Sequence, residues 1–226
     1  MKTLTRFIVV SSALLLPLAA QDRPQVGFVR VVHALAPGEG TMQLLIDGEN
    51  MFPKGYKLGQ RTGGIGLAAG SRTIEVRKEG VEPGATKLPL ESGETVTLVA
   101  FGVPIPADEV KEGGPKWTAK ILKLKQQDVE RGYRLTVVSV SGKPELAVKV
   151  AVEGKGKVEG LTVKRLATGT LDLGGVRGGV ELRLGEEPLA FVSLDDPGNY
   201  VVVLYDDGEG KVCGLSFFDP RFVIAG

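Results

Sequence analysis

The chain has 226 residues, a formal net charge of +1, 42% hydrophobic side chains, 32 glycines, 13 prolines, one histidine and one cysteine. A balance this close to neutral leaves no electrostatic footprint for nucleic acid or an anionic membrane surface. The apolar share excludes a disordered chain, and Cys213, as the lone cysteine, excludes an intramolecular disulfide, so stability must come from packing.

At the N-terminus, Lys2 and Arg6 precede an apolar run from Phe7 to Leu16, and Pro17-Leu18-Ala19-Ala20 followed by Gln21 reads as a small-residue cleavage site. Residues 1–20 are expected to be a signal peptide that sends the protein to the periplasm or outside the cell. The apolar run is about half of the roughly 20 residues a spanning helix needs, and no later segment comes close, so no transmembrane anchor is expected in the mature chain. No cysteine follows the cleavage site, which argues against a lipoprotein. Removing Lys2 and Arg6 from the 28 basic residues leaves 26 against 27 acidic ones, a net charge of −1.

Beyond residue 20 the sequence reads as strands and tight turns. Val29 to Ala34 opens the series, Leu44-Leu45-Ile46 runs into an Asp47-Gly48 turn, and Ser71 to Arg77 alternates apolar with polar side chains as a half-buried strand does. Val96 to Phe101 and Trp117 to Leu124 are expected to pair as a hairpin across a long loop, Gly102 to Lys116. Helix formers such as Lys120, Leu122 and Lys123 leave a helix open over Trp117 to Val129. The counterpart, Lys211 to Phe217, carries a central glycine and β-formers, so both segments are assigned as strands.

That counterpart comes from an internal repeat. Thr62-Gly63-Gly64-Ile65-Gly66-Leu67 recurs as Thr168-Gly169-Thr170-Leu171-Asp172-Leu173, and Ile74-Glu75-Val76-Arg77 recurs as Val180-Glu181-Leu182-Arg183, both at an offset of 106 residues. Val29 to Ala34 matches Leu135 to Val140 at the same offset, and Ser92 to Ala100 answers Pro197 to Tyr205 with the offset changed by one. A unit of roughly 100 residues can close its own core. The expected architecture is therefore all-β: two tandem antiparallel immunoglobulin-like or transthyretin-like sandwiches over residues 21–130 and 131–226, with Arg131-Gly132 as a short link that restricts domain motion.

Val29-Arg30-Val31-Val32-His33-Ala34, then Ile46-Asp47-Gly48, Leu67-Ala68-Ala69-Gly70 and the strand entry Glu91 to Thr97 carry a resemblance. Over Val29 to Gly102 the chain resembles the domain-of-unknown-function 4397 family. It departs where Leu35-Ala36-Pro37-Gly38 replaces the Ser-Pro-Asp-type turn, and Ser139 stands in the second copy where the first has His33. The resemblance implies an exported sandwich and no established activity.

Little in the sequence announces chemistry. A nucleophilic triad would have to be built on His33, whose counterpart is not a histidine, so a hydrogen bond capping a strand end is the favoured role. One histidine and one cysteine do not make a typical zinc site. Asp195-Asp196-Pro197-Gly198 and Asp206-Asp207-Gly208-Glu209-Gly210 fall at opposite ends of one strand and read as turns; the EF-hand spacing is absent, so no calcium is expected, and neither is a paired-carboxylate glycosidase. Gly154-Lys155-Gly156-Lys157 and Gly174 to Gly179 lack the strand-to-helix setting of a phosphate loop and read as hairpin loops. Cys213 reads as a small core side chain rather than a nucleophile.

Trp117 is the residue most open to a recognition role. It follows the Gly102 to Lys116 loop, the main insertion that distinguishes the first copy, although an inward-facing core position is the favoured reading. An exposed ring beside Phe101, Pro104 or Pro106 would suit a sugar or protein contact. The expectation is thus an exported, non-enzymatic structural or interaction module of the cell envelope or extracellular space, without catalytic residues, cofactor or metal, with an envelope or extracellular protein as partner. A carbohydrate-binding module is the alternative, and would need more exposed aromatics than 13 such residues, many of them placed as core, readily supply.

Overall fold

A computed structural model describes residues 25–153, 158–176 and 178–222. The expected signal peptide and the Gly154 to Lys157 loop lie outside the described residues. The described chain is all-β, with sixteen strands and no helix, and so no helix long and apolar enough to cross a membrane.

The first eight strands are β1 (Val26–Ala34), β2 (Glu39–Ile46), β3 (Glu49–Asn50), β4 (Ile65–Ala68), β5 (Gly70–Glu79), β6 (Val81–Leu90), β7 (Thr95–Pro104) and β8 (Trp117–Leu124). The second eight are β9 (Tyr133–Ser139), β10 (Glu145–Val152), β11 (Val158–Lys164), β12 (Thr168–Gly174), β13 (Gly178–Leu184), β14 (Glu187–Leu194), β15 (Gly198–Asp206) and β16 (Val212–Phe218). Trp117 to Leu124 is a strand, not a helix, and pairs antiparallel with β7 as its β-formers require. The loop between them is shorter than expected, because β7 continues to Pro104 and Ile105 N–H donates to Lys116 O.

Strand order runs β3-β2-β5-β6-β8-β7-β1-β4 in the first half; the second half has β11-β10-β13-β14 in one sheet and β12-β9-β15-β16 in the other. Two features depart from the antiparallel sandwich read from the sequence. Each half has a parallel pair flanked on both sides by antiparallel neighbours, β1 with β7 and β9 with β15, because the chain crosses to the opposite layer and back between those strands. The first half is also one continuous sheet rolled on itself, joined where Glu82 of β6 pairs with Thr118 of β8. Gly84 makes that approach possible, since a Cβ there would collide with the carbonyl of Ala119. In the second half Gly214 lets β16 come up to the backbone of Leu189 on β14, and Ser216 Oγ donates to Phe191 O at 2.8 Å.

Three buried clusters follow from strand alternation. On β7, Val96, Leu98 and Ala100 enter the core of the first half, while Val99 and Phe101 point the other way. On β15, Tyr200, Val202 and Leu204 enter the core of the second half, while Val201 and Val203 point away from it. The outward sets meet: Val32, Ala34, Val99, Phe101 and Leu124 of the first half pack with Val138, Val140, Val201, Val203 and Phe217 of the second. At roughly 1.5–3 kcal/mol for a fully buried large aliphatic or aromatic side chain, this seam outweighs any single polar contact across it. The chain is therefore four layers deep, with β1, β7, β9 and β15 covered on both faces.

The link between the halves is longer than Arg131-Gly132. β8 ends at Leu124 and β9 begins at Tyr133, so residues 125–132 join them, a polar stretch without strand alternation. What holds the halves against each other is the seam rather than a short tether.

Candidate functional site

At one end of the seam the turns of both halves surround a cleft of about 420 Å³. The first half contributes the turn after β1 (Ala36, Pro37, Gly38), the end of β7 (Gly102, Pro104) and Trp117 at the start of β8. The second contributes Gly142 after β9, Arg165 between β11 and β12, Asp206 at the end of β15, and Asp207, Gly208 and Gly210 in the turn to β16.

Trp117 is neither a fully buried core residue nor a free surface ring. It is half-buried, packs against the core of the first half, and pairs in register with Pro104. The structure thus brings together two features that the sequence treated separately, the tryptophan after the long loop and the Asp206-Asp207-Gly208 turn.

The two carboxylates on the opposite wall are held by the chain itself. Ser141 Oγ donates to Asp206 Oδ1 at 2.7 Å and Gly142 N–H to Asp206 Oδ2 at 2.6 Å. Asp207 Oδ1 accepts from the backbone N–H groups of Glu209 and Lys211, both at 2.9 Å. Asp195-Asp196 lies at the other end of β15, where the backbone of Asp196 is bonded to Tyr200 Oη. The two acid pairs stand at opposite ends of β15 and do not share a site, and no group of three or more His, Cys, Asp or Glu side chains that could hold a metal ion exists among the described residues.

Arg165 was not singled out by the sequence. It sits beside Leu166, whose φ of +59° is rare for a branched residue. Backbone bonds fix this turn: Arg165 N–H donates to Pro144 O at 2.8 Å and Leu166 N–H to Ser139 O at 2.7 Å. The guanidinium has no carboxylate or carbonyl partner among the described residues, and its Nε is buried without an acceptor. A basic residue in a turn gives no sequence signal for this; only the fold places it on the cleft wall.

No model of a known protein family matches the chain, and no curated protein matches it either.

The other candidates fall elsewhere. His33 is fully buried at the end of β1, and its Nδ1 accepts a hydrogen bond from Leu35 N–H at 3.1 Å. Burial, followed by the nearby Lys78 ammonium, pushes its pKa down to about 3, so at neutral pH it carries no charge and its Nε2 has no partner. A base needs contact with a reacting group, and this ring has no route to one. Lys78 Nζ donates to the carbonyls of Leu35 and Ala36 at 2.9 and 3.1 Å, and burial lowers its pKa.

Cys213 is half-buried rather than in a core, as are Gly214, Leu215 and Ser216 after it on the edge strand β16. Burial and then the neighbouring Asp207 carboxylate push its thiol pKa up, which disfavours the thiolate a nucleophile would need. Within the Gly174 to Gly179 segment, the described residues connect β12 to β13 with no helix following.

Proposed function

We propose that this is an exported, non-enzymatic protein of two tandem immunoglobulin-like or transthyretin-like sandwiches that serves as a structural or interaction module of the cell envelope or extracellular space. The observation that carries this reading is the seam. Burying β1, β7, β9 and β15 on both faces makes one four-layered block whose turns gather at its ends, the arrangement in which loops on a packed scaffold do the recognising. The repeated strand order supports a duplication, and the kinship with the domain-of-unknown-function 4397 family is proposed on the Val29 to Ala34 and Ile46-Asp47-Gly48 motifs. The apolar stretch ahead of Gln21 supports export.

A carbohydrate-binding module is the second reading, favoured by the half-exposed Trp117 facing hydrogen-bonding side chains across the cleft. A pull-down of residues 21–226 from envelope extract, beside a polysaccharide array at physiological salt, separates the two. A saturable protein partner supports the first reading, and glycan retention without one supports the second.

A further inference from the structure

We propose that the cleft at the end of the seam binds a carboxylate-bearing sugar, a uronic acid residue, with Arg165 taking the carboxylate and Trp117 the apolar face of the ring. The inference rests on the carbohydrate reading above and narrows it to one class of sugar.

Arg165 is the starting point. A guanidinium offers five N–H donors in a planar fork that matches a carboxylate. Here it stands on the wall of the cleft with no ion pair among the described residues, its Nε–H turned away from solvent without an acceptor. The residue as a whole is only part-buried, so its terminal N–H groups, which have no partner among the described residues, are the ones left to meet an oxyanion brought into the cleft. The strained Leu166 next to it shows that this turn is held in place against local backbone preference.

The remaining wall chemistry selects the rest of the ligand. Trp117, with Pro37 and Pro104 nearby, provides an apolar surface of the kind on which a pyranose ring stacks. Asp206 and Asp207 offer acceptors for sugar hydroxyls. Each already takes hydrogen bonds from backbone N–H groups, and Asp206 also from Ser141, which offsets their charge and lowers their repulsion toward a carboxylate. A simple anion would leave Trp117 unused, and a neutral hexose would leave Arg165 unmatched. A cleft of about 420 Å³ has room for one or two sugar residues.

Trp117 is the sole tryptophan, so its fluorescence reports on the cleft directly. The test titrates residues 21–226 with glucuronic acid, a glucuronic acid disaccharide and glucose, using Trp117 emission and calorimetry. The expected result is saturable binding of the acidic sugars, with glucose weaker by about tenfold or more, as loss of a charge-assisted contact predicts. Arg165→Gln should weaken the acidic sugars by a similar factor and leave glucose unchanged, and Arg165→Lys should recover part of the loss. Trp117→Phe, read by calorimetry, should weaken both sugars while preserving the fold. Equal binding of glucose and glucuronic acid, or indifference to Arg165→Gln, would overturn the acidic-sugar assignment and leave the carbohydrate reading standing. Failure of every sugar to bind would overturn both.

Discussion

Arg30, in the first strand, and Asp219, one residue beyond the last, form an ion pair of 2.5 Å between side chains that are 1% and 5% exposed. The pair crosses the seam over 189 residues of sequence, and Thr97 Oγ1 lies 3.4 Å from Arg30 Nη1 and 3.3 Å from Asp219 Oδ1. The guanidinium carbon also lies 5.0 Å from the ring centroids of both Phe217 and Phe222. Burial lowers the Arg30 pKa and Asp219 opposes that shift; an ion pair buried this deeply gives up the hydration of both groups, which offsets much of their mutual attraction.

Removing one partner exposes that imbalance. Asp219→Ala leaves Arg30 buried without its counter-ion and is expected to destabilise the protein by about 3–5 kcal/mol, whereas the double replacement Arg30→Met with Asp219→Leu should be close to neutral. Urea unfolding of the single and double variants checks this; additive losses would count against a seam held chiefly by apolar packing.

His33 predicts an acid dependence with a definite sign. Its pKa is about 6.5 when unfolded and about 3 when folded, so between those values the unfolded chain binds more protons and stability rises with pH. The contribution is fully present above about pH 6.5 and is lost as pH falls toward 3, amounting to at most roughly 5 kcal/mol over that window. Asparagine can still accept from Leu35 N–H but does not titrate. His33→Asn should therefore flatten the pH slope relative to the parent chain in denaturation measured from pH 7 to 4, and parallel slopes would mean the imidazole is not buried neutral.

Gly84 and Gly63 give a matched pair of substitutions. A Cβ on Gly84 would strike the carbonyl of Ala119 and pry β6 from β8, and a Cβ on Gly63 meets nothing within 4 Å. Gly84→Ala should cost about 1–3 kcal/mol as an overpacked site, with Gly63→Ala within about 0.5 kcal/mol of the parent. Thermal unfolding of both variants distinguishes steric closure of the rolled sheet from a loss of glycine in general.

Much of the secondary structure was legible because it rests on local chemistry. The alternation of Ser71 to Arg77 and the Asp47-Gly48 turn each mark a boundary that the structure keeps, with Asp47 and Gly48 at φ of +50° and +87°. The seam also has a signature in the sequence, distinct from that of a half-buried strand. Leu98 to Phe101 and Tyr200 to Tyr205 do not alternate as Ser71 to Arg77 does, and an uninterrupted apolar run signals a strand covered on both sides. Three elements escaped. The parallel pairing of β1 with β7 depends on where the chain crosses between sheets, the rolling of the first sheet depends on one glycine contact, and Arg165 becomes notable only once two distant turns meet.

Urea unfolding of residues 21–226, followed by two probes at once, shows whether the seam makes one cooperative unit of the two halves. Trp117 fluorescence reports on the first half and on the cleft it shares with the second, and far-ultraviolet circular dichroism reports on the strands of both. A seam of ten buried apolar side chains predicts a single transition with the same midpoint and slope by both probes. Two separated transitions, with fluorescence changing while half of the strand signal persists, would contradict a block held together across β1, β7, β9 and β15.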